Sequence, residues 1–163
     1  MRILKSVMIL MIALVVLALL LVGYFFLTAR VTIAAYKAEG ALATQRQELY
    51  DEVATQLRQD AFIGTRFSST PLAAADQYAF ITYTLRLSNQ CLVPIDMIEV
   101  QVVPNASDVL QIGDLSVRHL EAKSQGDVTA TILTAKDSHT IRELIVTYYV
   151  WGISFSIRET YGG

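Results

Sequence analysis

The residues able to do chemistry are few. The chain holds one cysteine, Cys91, and two histidines, His119 and His139. A cysteine nucleophile needs a histidine base that a third group orients. The setting "SNQCLVPID" (88–96) carries none of the local patterns around catalytic cysteines. Cys91 is therefore expected in a turn between two strands. Asp137-Ser138-His139 contains the three residue types of a hydrolase triad. Neighbours in one turn cannot converge into the relay that such a triad requires, and no Gly-x-Ser-x-Gly elbow is present. An Asp- and Ser-rich turn is expected there instead. Two histidines twenty positions apart and one cysteine lack zinc-ligand spacing. Asp108, Asp114, Asp127 and Asp137 lie near expected turns, where Asx chemistry accounts for them, and no EF-hand spacing links them. The expectation is a non-enzyme with no catalytic, cofactor-binding or metal-ligating residue and no cofactor.

Composition says where such a chain sits. Of its 163 residues 53% are hydrophobic and 17% charged, more apolar than an average soluble domain. The excess is concentrated in 7–27, "VMILMIALVVLALLLVGYFFL", which contains no charge. As a helix, at about 1.5 Å per residue, this run spans about 31 Å, close to the bilayer core. Tyr24, Phe25 and Phe26 stand at its end, where an interfacial aromatic belt belongs. A cleaved signal peptide has a shorter apolar region and small residues at the cleavage site; Leu27-Thr28-Ala29 offers a bulky one. The reading is an uncleaved single span behind a short basic tail, 1–6, with Arg2 and Lys5 in the cytoplasm and residues 28–163 outside it, at the cell membrane. With Arg2 and Lys5 set aside, 11 Lys and Arg face 15 Asp and Glu. The absence of a basic run argues against nucleic acid and against anionic lipid as a specific target. Asn105-Ala106-Ser107 fits a glycosylation acceptor, which matters only in a eukaryotic secretory pathway.

Three further elements would position the rest. Residues 28–60 are rich in Ala, Gln, Glu, Leu and Arg, contain no proline, and read as a juxtamembrane amphipathic helix. Leu42, Leu49, Val53 and Leu57 form a narrow stripe. The stripe suits a helix laid on the following domain or a stalk; a short coiled coil making a homodimer through 28–60 is the alternative. From 61 to 163 the composition turns to Thr, Val, Ile, Tyr and Phe in alternation, punctuated by Gly, Pro, Asn and Asp. Strands are expected near 62–68, 77–89, 94–103, 108–112, 115–121, 127–134, 141–151 and 153–160, with Gly162-Gly163 as a frayed tail. Ile98, Val100 and Val102 would face inward, as would Val128, Ala130 and Ile132, and Ile153, Phe155 and Ile157. Tyr148 would point one way, Tyr149 and Trp151 the other, all as packing residues, with Gly152 allowing a bend beside Trp151. The fold class is thus a transmembrane helix, an amphipathic helix and an all-β immunoglobulin-like antiparallel sandwich of 7–8 strands.

The stretch "YTLRLSNQCLVPIDMIEVQVV" (83–103) resembles the WHy domain, the immunoglobulin-like domain of group-2 late-embryogenesis-abundant proteins. Asn89 and Pro94 stand in matching places, while Gln90-Cys91 replaces the family's Pro-Asn. "LIVTYYVWGISFSIRE" (144–159) is similar to the family's closing hairpin. The resemblance implies a non-catalytic binding or stress-related module and no functional residue. The order anchor, helix, β domain is also similar in outline to type IV pilins. Lys5-Ser6-Val7 lacks their peptidase site, and 7–27 lacks their early glutamate. The expected function is a membrane-anchored interaction or structural module with a protein partner at the cell envelope. The alternative is a subunit of a larger membrane assembly.

Overall fold

The computed structural model describes residues 2–28, 30–114 and 118–161. Helix α1, Arg2–Thr28, contains the apolar run. It extends further towards the N-terminus than the expected span, so the basic tail is its first turns. Within it Lys5–Phe25 has a mean hydropathy of 3.0 and is long and apolar enough to cross a membrane. Its side chains from Lys5 to Tyr24 are exposed. A helix apolar on every face and left uncovered by its own protein fits an apolar surrounding.

The expected helix over 28–60 is corrected by the structure. Residues Val31–Leu42 form strand β1, followed by a 3-10 turn at Ala43–Arg46, and only Gln47–Arg58 is helical (α2). Strand β1 pairs antiparallel with β3, Tyr78–Asn89, from Val31↔Asn89 to Leu42↔Ala79. Helix propensity is a small preference per residue, and a full ladder of cross-strand bonds overrides it. Val31, Thr32, Ile33 and Tyr36 suit a strand, and Gly40 weakens a helix. The β domain therefore begins at 31, and the boundary at 61 falls inside it.

The remaining strands are β2 (Gly64–Arg66), β4 (Asp96–Val102), β5 (Asp108–Ile112), β6 (Gln125–Ala135), β7 (Arg142–Val150) and β8 (Ile153–Tyr161). They build a five-stranded sheet, β1-β3-β6-β5-β2, and a three-stranded one, β4-β7-β8, with antiparallel pairing throughout. Of the expected strand 115–121, residues 115–117 lie outside the described residues, and Leu120 makes one isolated bridge to Ile95. The tail 162–163 also lies outside them.

Alternation places the core between the sheets. Ile81, Tyr83, Leu85 and Leu87 of β3 and Val128, Ala130 and Ile132 of β6 meet Ile98, Val100 and Val102 of β4 and Leu144, Val146, Tyr148 and Val150 of β7. The inward assignment of β4 and β6 is as expected. Strand β8 departs from it: Phe155 and Ile157 are half-buried and Ile153 is exposed, because β8 is the last strand of its sheet. A second core lies on the outer face of the larger sheet. There Tyr50 and Val53 of α2 pack on Phe80, Leu110 and Leu133, with Leu49 and Leu57 alongside. Leu49, Val53 and Leu57 of the expected stripe thus pack on the protein's own sheet, while Leu42 ends β1 and is exposed. Beside it, Gly64 takes φ +148, and a Cβ there would stand 2.2 Å from the Gln111 carbonyl oxygen. Only glycine lets β2 come that close to β5.

Candidate functional site

The two ends of the β domain hold different chemistry. The end beside α1 is organised by Asn89, which is buried. Its Nδ2 donates to the carbonyls of Val93 (3.0 Å), Leu120 (3.2 Å) and Glu121 (2.9 Å). Its Oδ1 accepts the Cys91 N–H at 2.9 Å. One carboxamide thereby ties the 90–94 turn to the segment that precedes β6, the Asx chemistry expected of Asn before a turn. Cys91 lies under this turn, buried, with its thiol 3.8 Å from the Arg30 carbonyl. Burial pushes the thiol pKa up, only partly opposed by Lys123. A thiol held protonated is a poor nucleophile and a poor metal ligand.

His119 sits near this end, exposed, between two carboxylates. Its Nδ1 is 2.5 Å from Asp96 Oδ1 and its Nε2 is 2.9 Å from Glu121 Oε1. Both hydrogen bonds, that to Asp96 first, raise its pKa. His139 lies in the β6–β7 connection, at the other end of the domain.

That far end is organised by a buried ion pair the sequence reading missed. Arg142 donates from Nε to Asp108 Oδ2 (2.7 Å) and from Nη2 to Asp108 Oδ1 (2.6 Å), with neither side chain exposed. Arg142 Nη1 donates to the carbonyls of His139 (2.8 Å) and Ile141 (2.7 Å), and Nη2 to Ser138 Oγ (2.8 Å). Asp108 also accepts the Asn105 N–H at 2.8 Å. Desolvation pushes the Asp108 carboxyl upward, but its bonds to Arg142, Asn105 and Thr134 outweigh that and hold its pKa below the usual range. Tyr83 completes the end, its hydroxyl donating to the Thr140 carbonyl at 2.6 Å, and burial pushes its pKa up to about 12. Ser138 and His139 therefore wrap an arginine, and the Asp-Ser-His run is the turn expected. Register was the available signal. Arg142 shares the inward alternation of Leu144, Val146, Tyr148 and Val150.

Two concave surfaces remain. A cleft of about 430 Å³ lies along β4 and β5, lined by Met97, Glu99, Gln111, Arg118 and Tyr149. Two of its polar side chains are engaged. Gln111 Nε2 donates to the Val100 carbonyl (2.7 Å) while its Oε1 accepts the Val102 N–H (2.8 Å), so one side chain stands in for a missing strand partner. Arg118 is held by Asp114 at 2.9 and 2.7 Å. The second, about 530 Å³, separates α2 from the 66–73 segment and is lined by Ala54, Leu57, Arg58, Arg66, Pro71 and Leu72. Tyr50 closes its floor, donating to the Ala73 carbonyl at 2.5 Å. The lining combines apolar side chains with Arg58, Arg66 and Asp51. Among the described residues no cluster of His, Cys, Asp and Glu could hold a metal ion.

The structure separates Tyr148 from the other two aromatics. Tyr148 is buried and Tyr149 half-buried, but Trp151 is 61% exposed in the β7–β8 turn, outside the sandwich core in which it was expected to pack. No protein-family model matches the chain, and no curated protein matches it significantly.

Proposed function

We propose that the protein is a single-pass membrane protein with its N-terminus in the cytoplasm. It presents an immunoglobulin-like β-sandwich outside the cytoplasm as a non-catalytic interaction or structural module of the cell envelope. The observation that carries this reading is the join between anchor and domain. Only positions 29 and 30 separate α1 from β1, and β1 is paired along its length with β3. The apolar helix and the sheet are thus joined by a short connection. The strand order β1-β3-β6-β5 against β4-β7-β8 supports the immunoglobulin-like reading, since it is the ABED and CFG order of constant-type domains. The structural use of Asn89 in the 90–94 turn is in keeping with a WHy-like domain. The burial of Cys91 and the contacts of the Ser138 hydroxyl and the His139 ring with Arg142 support a module without catalysis. Strand β1 has 12 residues, which places α2 and its groove about 40 Å from the anchor, within reach of a protein partner. Protease applied to intact cells tests the reading: cleavage of the β domain is expected, and protection until lysis would overturn it.

A second reading, a subunit of a larger membrane assembly that oligomerises through the anchor and residues 28–60, is favoured by one observation. Strand β1 ends its sheet, so one side of its backbone carries no strand of that sheet. A monomeric size for the detergent-solubilised full-length chain would overturn it.

A further inference from the structure

We propose that the anchor-side end of the domain is a membrane-seating surface, in which Trp151 and Leu92 enter the interfacial layer of the bilayer that α1 spans. The proposal rests on the reading of α1 as an anchor. Its first support is the β7–β8 turn. Val150 pairs with Ile153, leaving a two-residue loop in which Trp151 has φ +50 and Gly152 φ +78. Positive φ at both central residues is the type I′ arrangement, whose first position favours Asn, Asp or Gly. A bulky aromatic there is disfavoured by its Cβ, and 61% of the side chain stays exposed. A large apolar residue held at such a tip, against local preference, points to a use beyond the hairpin itself.

The second support is where the tip stands. The Trp151 ring stacks on Phe25, with centroids 4.7 Å apart and an interplanar angle of 14°. Phe25 ends the candidate membrane span Lys5–Phe25 and lies two residues before the end of the uncharged run 7–27. Trp151 is therefore level with the end of the hydrocarbon core, where tryptophan is enriched because its ring is apolar and its N–H is wet. Leu92, 62% exposed, lies in the 90–94 turn at the same end of the domain. That turn is tied to the chain leaving the helix, as the Gln90 N–H donates to the Arg30 carbonyl at 2.9 Å. Ile153, 49% exposed, adjoins the tip. Lys123, whose Nζ is 2.5 Å from the Gln90 carbonyl, contributes to a polar rim. The apolar tips, rather than charge, carry the seating, so it is insensitive to anionic lipid.

Trp151 is the chain's single tryptophan, so its own fluorescence reads the result without substitution. The full-length protein is reconstituted into phosphatidylcholine vesicles, with and without phosphatidylglycerol. The vesicles carry a nitroxide near either the glycerol end or the methyl end of an acyl chain. Flotation after an alkaline wash is scored in parallel. The expected result is flotation, with emission quenched more by the shallow nitroxide than by the deep one, weakly by aqueous iodide, and equally in both lipids. Tryptophan moved to the other turn, in Trp151→Phe/Leu92→Trp, is expected to behave alike. Moved to the opposite end of β7, in Trp151→Phe/Ile141→Trp, it is expected to be several-fold more open to iodide and untouched by either nitroxide. A floating protein whose Trp151 or Leu92→Trp is open to iodide, or whose Ile141→Trp is quenched by lipid, overturns the seating and leaves the anchor standing. Failure to float removes the anchor, and the seating with it.

Discussion

Arg142 and Asp108 meet with no exposed side-chain surface, and each makes further bonds to the surrounding loops. Removing one partner of such a pair leaves an uncompensated buried charge, which costs about 3–5 kcal/mol. Asp108→Ala is expected to lower the unfolding free energy by that amount in a urea titration. The same pair sets an acid limit. Because the folded Asp108 pKa is depressed, its contribution is complete above the unfolded carboxyl value of about 3.9 and is lost as pH falls through the folded value. Thermal scans at descending pH are expected to show stability falling from about pH 4 downward in the native chain, with that loss reduced in Asp108→Ala. At the other end Asn89 fills the corresponding role. Asn89→Ala leaves buried turn carbonyls without their donor and is expected to cost about 1–3 kcal/mol. Cys91 reports on that turn. A buried thiol with a raised pKa should alkylate slowly in the native protein and rapidly once Asn89 is replaced, which timed iodoacetamide labelling measures.

Among the elements, β1 matters most, because it changes what the domain is. A chain beginning at residue 61 lacks β1 and α2, exposing the long edge of β3 and uncovering Phe80, Leu110 and Leu133. Such edges and faces pair with other chains. The 61–163 fragment is expected to aggregate, whereas one beginning at Arg30 should be soluble with a cooperative thermal transition; size-exclusion chromatography separates the two outcomes. The β7–β8 hairpin makes the opposite point. A left-handed backbone costs an ordinary residue about 1–2 kcal/mol, and asparagine less. Trp151→Asn is therefore expected to stabilise the Arg30–Tyr161 domain by up to about 1 kcal/mol by chemical denaturation, while in the full-length chain the β7–β8 turn loses its contact with lipid.

For the whole molecule, the consequential feature is that anchor and sheet are joined through two residues. A flexible Gly-Ser insertion after Arg30 should leave the thermal transition of the domain unchanged. It should also weaken the hold of the Trp151 turn on the interface, seen as increased iodide quenching of Trp151 in vesicles. The apolar helix, the strands flanking Asn89 and Pro94, the inward faces of β4 and β6 and the turn at 137–139 were legible in the residues themselves. Each rests on local chemistry: length and apolarity, alternation, and Asx or proline turn preference. Segment 31–42 was illegible because its Ala-rich composition favours helix weakly while its partner, β3, lies some 50 positions on. The Arg142–Asp108 pair and the Gln111 bridge to β4 join residues 34 and 9 to 11 positions apart, from elements that meet only when the sheets pack. A residue's type states what it can bond or bury. Which of those options it takes is decided by the neighbours that non-local strand pairing brings to it.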